Sequence, residues 1–118
     1  MERLKGNSGV TYRIATQDDY IHWYKGRQKY GAKAYAFFLG DEMVGIGGYK
    51  KDSGMFIIFS EIKENVIVDK VTIYRAAKII MELVKEIKVP VFAVSTNDRL
   101  CEVLGGIKIG EEFFKWQN

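Results

Sequence analysis

The sequence predicts an α+β domain built on a mixed sheet of about six strands, and three features carry that prediction. Residues 10 to 15, Val-Thr-Tyr-Arg-Ile-Ala, alternate apolar and polar side chains with the period of a half-buried strand. From Asp69 the apolar positions Ile73, Ala76, Ala77, Ile80, Leu83, Val84 and Ile87 recur every three or four residues, the period of an amphipathic helix. That helix of about twenty residues stands between the apolar run Met55 to Ile62 and an extended segment opened by Pro90, as a parallel crossover requires. A chain of 118 residues is one domain, 1–118, large enough to close a single core without metal or disulfide staples.

The remaining elements follow in order. Thr16 is a good N-cap, and Asp19 three residues on makes a carboxylate form of the capping box, so a helix carries Tyr20, Ile21, Trp23 and Tyr24 and ends at Gly26 and Gly31. Ala34 to Leu39 is a buried strand, Gly40-Asp41-Glu42 a tight turn, and Met43 to Lys50 the returning strand. Lys51-Asp52-Ser53-Gly54 turns again into Met55 to Ile62, apolar enough for the middle of a sheet. Asp69 caps the long helix, and Val91 to Ser95 is a short strand. Asn97 opens a short helix, Arg99 to Leu104, that stops at Gly105-Gly106. Residues 107 to 116 close the chain as a strand bent at Gly110, with Phe113, Phe114 and Trp116 expected as an exposed edge for a homodimer.

Composition excludes several classes. With 47% hydrophobic residues, one proline and no low-complexity run, the chain is neither disordered nor collagen-like. Cys101 is the lone cysteine and His22 the lone histidine, so a disulfide scaffold is impossible and no spacing suggests a metal site; a reducing, cytoplasmic location is expected. No apolar run approaches the ~20 residues that span a bilayer, so no membrane contact is expected. The net charge of +3 is mild, and the densest basic stretch, Lys25 to Lys33 with Tyr24, Tyr30 and Tyr35 around it, is explained more economically by a solvated helix end than by nucleic acid. No Ser or Cys nucleophile accompanies His22 at triad spacing. The glycines at 45, 47 and 48 imitate a dinucleotide fingerprint, but they lie inside a hairpin strand, where they permit a bulge or a close backbone approach.

Two segments carry a family resemblance. Gly40-Asp41-Glu42-Met43-Val44-Gly45-Ile46-Gly47-Gly48 is a short acidic turn leading into an apolar-glycine strand. Asn97, Leu100, Glu102, Leu104-Gly105 and Ile109-Gly110-Glu111 set an Asn before a short helix, then a Gly and a last strand. In this order, over residues 10 to 116, the chain resembles the GCN5-related N-acetyltransferase (GNAT) superfamily, and its shortness looks like the acetyltransferase-like phage proteins, some of them virion-associated. The resemblance implies a three-layer fold with helices on both sheet faces, acetyl-CoA as cofactor, and a small-molecule or protein amine as acceptor. It also allows a catalytically silent module that binds a protein partner, in the host cytoplasm or in a virion if the chain is phage-encoded.

By that resemblance, Glu61 near the end of the central strand would be the base, and Cys101 would stand where the family often keeps a Tyr as the acid. Ile62, Lys63, Lys70 and Asn97 would contact the cofactor. The alternatives are that Glu61 and Glu64 are the solvent-facing residues of a half-exposed strand and that Cys101 is core. Family members seat the pyrophosphate in a glycine-rich loop before the long helix; here Lys63-Glu64-Asn65-Val66-Ile67-Val68-Asp69-Lys70 contains no glycine, and Asp69 brings a negative charge to the cap.

Overall fold

A computed structural model gives the fold for residues 1–4, 9–26 and 32–117. The chain opens with β1 (Glu2–Arg3) and β2 (Val10–Ile14), then helix α1 (Gln17–Trp23). Strands β3 (Ala32–Leu39), β4 (Glu42–Asp52) and β5 (Met55–Ile62) follow as consecutive hairpins. Helix α2 (Lys70–Val84) crosses to β6 (Val91–Val94), helix α3 (Asp98–Val103) follows, and β7 (Ile107–Lys108) and β8 (Phe113–Trp116) end the chain.

These make one sheet in the order β1-β2-β3-β4-β5-β6-β8-β7. Every neighbouring pair is antiparallel except β5 and β6, which α2 joins in parallel. The expected mixed, α+β architecture is present, with eight strands in place of about six. Two short stretches make the difference. Glu2 and Arg3 pair with Tyr12 and Thr11, and the expected single strand 107–116 is broken by a bend into β7 and β8, which fold back on each other with Ile109 N–H donating to Phe113 C=O at 2.9 Å.

Local sequence chemistry sets the joints. Between β3 and β4 the loop has two residues, Gly40 and Asp41, and Gly40 takes the positive φ (63°) that a type II′ turn needs at its first position. Between β4 and β5, Ser53 (52°) and Gly54 (80°) are both left-handed, as in a type I′ turn. At the start of α1, Thr16 and Asp19 exchange both hydrogen bonds of a capping box. The buried Asp19 also accepts from Arg13 of β2, including Nη2 to Oδ1 at 2.9 Å, and this fixes the helix to the sheet. Helix α2 ends at Val84, short of the expected Ile87, which packs against the core from the following turn.

Helices lie on both faces. Helix α2 covers Val10, Phe37, Val44 and Val91 with Ile80 and Val84. Helix α1 covers the opposite face, where Tyr20 packs on Ala34, Ala36, Phe38, Met43 and Ile46. On the α2 side α3 adds a third cluster, Cys101 with Ala93, Phe114 and Trp116. This corrects one expectation: Phe114 and Trp116 are not an exposed edge. Strand alternation turns both under α3, and the Trp116 indole N–H donates to Leu104 C=O at 3.1 Å; only Phe113 faces solvent. No helix among the described residues is long and apolar enough to cross a membrane. Of the basic stretch, residues 27–31 lie outside the described residues; Lys33 pairs with Glu86 of the α2 end at 3.0 Å.

Candidate functional site

The site begins with an unfinished strand pair. Strand β5 pairs with β4 over eight positions and β6 pairs with β8 over four, but β5 and β6 share only Phe56↔Val91 and Ile57↔Phe92. Two well-zipped antiparallel halves, each twisting in its own way, meet at a two-pair seam and part beyond it. A cleft of about 700 Å³ opens there. Its lining includes Ile57 and Phe59 from one sheet face and Ile58 and Ser60 from the other, so it passes through the sheet. The far wall is Ala93 to Thr96 with Cys101 and Trp116.

Glu61 stands at the end of β5, on the α1 face, in register with Ile46. Its Oε2 accepts the hydroxyl of Tyr24, the C-cap residue of α1. Burial, and then the hydrogen bond to this carboxylate, push the Tyr24 phenol well above its ordinary value, so it remains a donor. Glu61 is itself exposed. The geometry gives a carboxylate held in place by a neutral phenol, free to accept a proton from solvent or from an incoming amine.

Cys101 is buried in the α3 cluster and also lines the through-sheet cleft. Burial pushes its thiol up, a hydrogen bond with Ser95 pulls partly the other way, and Asp98 and Glu102 add to the rise. It is therefore a neutral thiol, suited to donating a proton and unsuited to attacking as a nucleophile.

Lys70 and Asn97 are brought together. With Arg99, Tyr74 and Leu100 they line a cleft of about 480 Å³ between the start of α2 and α3. Asn97 spends its side-chain oxygen on the cap of α3, accepting from Leu100 N–H at 3.1 Å. Ile62 is half exposed beside a small apolar cleft with Thr72, Ile73 and Ala76. Lys63 pairs its ammonium with Glu42, and its backbone N–H donates to Val44 C=O at 2.9 Å. Ahead of α2, Asp69 Oδ1 accepts Thr72 N–H at 2.7 Å, and that hydrogen bond holds its carboxyl below the usual range. The helix N-terminus is thus filled by the chain's own anion. In the preceding loop Asn65 (65°), not a glycine, takes the left-handed conformation.

Sequence reasoning missed Tyr24 and Arg99. Tyr24 lies 37 residues from Glu61, and no local pattern links them. Arg99, two residues after Asn97, was legible as a cation in the first turn of a helix. No family model matches the chain, and neither a curated protein nor a solved structure matches it significantly.

Proposed function

We propose that this chain is a GNAT-like N-acetyltransferase that moves an acetyl group from acetyl-CoA to an amine. The observation that carries the reading is the parting of β5 and β6. The β5–β6 ladder stops after Ile57↔Phe92, so the β6-facing side of β5 runs on to Ile62 beside an open cleft that joins the sheet faces. An extended amide-bearing arm such as pantetheine pairs with a free strand edge of this kind. The order of elements, with a helix crossing over from β5 to β6 and β8 inserted between β6 and β7, supports the same reading.

The cofactor fits in part through residues the resemblance implies, Lys70 and Asn97, and in part through Arg99, which it does not. The arm fits the open seam. Lys70 and Arg99, which line one cleft with Asn97, would hold a diphosphate as a cationic pair, while the Asp69 cap would keep it off the α2 N-terminus. When bound, acetyl-CoA supplies the activated acetyl thioester. Glu61 would take the proton of the incoming ammonium, Tyr24 keeps its carboxylate in one rotamer, and the neutral Cys101 thiol, which lines the passage, would give a proton to the departing thiolate.

One observation favours a second reading. A carboxylate at the helix cap and a loop of β-branched residues, Val66 to Val68, oppose diphosphate binding, as expected of a catalytically silent GNAT-like module, phage-encoded and virion-associated or not, that binds a protein. Isothermal titration with acetyl-CoA separates the two. Saturable 1:1 binding supports the enzyme; no heat at millimolar ligand overturns it and leaves the module.

A further inference from the structure

Among the described residues nothing covers half of one sheet face, and the pattern there names a partner. Helix α1 has seven residues, a cylinder about 10 Å long. The eight strands span about 34 Å. Helix α1 reaches β3 and β4, with Phe59 at its margin, and no other described helix lies on that face. Strands β5, β6, β8 and β7 therefore present Met55 (43% exposed), Val94 (60%), Phe113 (51%) and Ile107 (59%) to solvent. These four leave roughly 400 Å² of apolar surface open, in the range where patches on monomers are commonly functional.

The charges on this face are ordered. Register places Lys50, Ile57, Phe92, Lys115 and Ile107 in one row across five strands. The lysines of β4 and β8 stand three strand spacings apart, about 14 Å, with two apolar residues between them. Neither has a salt-bridge partner among the described residues. Two carboxylates flank the row: Asp52 sits beside Met55 at the turn and accepts from Ser53, and Glu61, toward the other end of β5, accepts from Tyr24.

We propose that this face docks an acidic, apolar peptide segment of a protein partner, with two carboxylates about 14 Å apart flanking branched or aromatic side chains. In an extended segment that spacing is four residues, and side chains at even spacing share one face. A second copy of this chain fits less well. The patch is about half of the ~800 Å² per partner of a stable interface, and two-fold pairing brings lysine rows together. A nucleic-acid strand also fits less well, since its charges recur far more closely than two cations 14 Å apart. Lys50, Ile57 and Val94 also line the cleft between β5 and β6, so a docked segment covers its mouth on this face whether or not the chain transfers acetyl groups.

The test uses the whole chain and a fluorescent nine-residue peptide with glutamates at positions i and i+4, valine and leucine between them, and a control with lysines in place of the glutamates. Saturable binding, at least tenfold weaker for the control and for the Lys50→Glu/Lys115→Glu variant, with amide shifts at Phe92, Val94 and Phe113, is the expected result. No saturation at millimolar peptide, equal binding of the control, or shifts confined to other strands overturns it. Tighter binding of a single-stranded oligonucleotide, or a dimer by light scattering that Val94→Asp dissociates, also overturns it, by assigning the face to another occupant.

Discussion

Substituting Gly48 by alanine tests how the sheet that carries Glu61 is built. A Cβ at Gly48 would lie 2.0 Å from the Lys33 carbonyl oxygen and 2.5 Å from Ala34 Cα, both backbone atoms of β3. Relief to ordinary contact requires β3 and β4 to separate by about 1 Å, stretching ladder hydrogen bonds on both sides. That puts the substitution at the upper end of overpacking costs, about 3 kcal/mol. At ~3–6 °C per kcal/mol for a domain of this size, Tm falls by about 10–15 °C. Gly47→Ala is the internal control. It adds the same methyl group and removes the same backbone freedom, but the nearest atom, at 2.3 Å, is Cδ1 of Ile80, the tip of a side chain that can change rotamer. Its cost is about 1 kcal/mol, or roughly 5 °C. Thermal melts of both variants by circular dichroism, with urea midpoints alongside, give the comparison. If Gly48→Ala melts within about 3 °C of the parent, or Gly47→Ala is the worse of the two, the close-approach account of this strand is wrong.

Three further outcomes are expected. Glu61→Gln lowers thiol release from acetyl-CoA over an amine panel by 10²-fold or more with Tm unchanged, and Tyr24→Phe lowers it less; an unaltered rate for Glu61→Gln removes that residue from the chemistry. Asp69→Ser keeps a capping oxygen and removes the charge, so acetyl-CoA binding by calorimetry tightens severalfold; unchanged affinity shows that the cap carboxylate does not face the diphosphate. For Asp19, burial alone would raise the carboxyl, but hydrogen bonds from Arg13 and Thr16 outweigh it and hold the pKa below its ordinary value. A depressed folded-state pKa means stability present above the unfolded value, about 3.9, and lost as pH falls through the folded one. Urea midpoints from pH 7 to pH 2 should therefore fall less steeply in Asp19→Asn than in the parent, and parallel curves would count against the Arg13 pairing.

Much of the fold is legible one residue at a time because its signals are local. The capping box of Thr16 and Asp19, the left-handed turn at Gly54 and the stop at Gly105 (φ 92°) are decided by neighbours within four residues. So is the amphipathic period of α2. The sequence misses β1, since two residues show no period, and it reads 107–116 as one strand, since only pairing of β7 back onto β8 makes the bend. Phe113-Phe114-Lys115-Trp116 is apolar on both sides of its alternation, so which aromatics are buried depends on where α3 lands.

The candidate site divides along the same line. The family resemblance points to Glu61 near the end of β5, Lys70 at the start of α2 and Asn97 at the cap of α3 before any coordinates, because it rests on order along the chain. Tertiary structure alone decides that Lys63 is held by Glu42, that Tyr24 reaches Glu61 across 37 residues, and that Arg99 joins Lys70. It also decides that β5 and β6 part after two pairs. The period of a strand determines which side chains share a face; how long two strands stay together is set by the twist of everything else they are paired to.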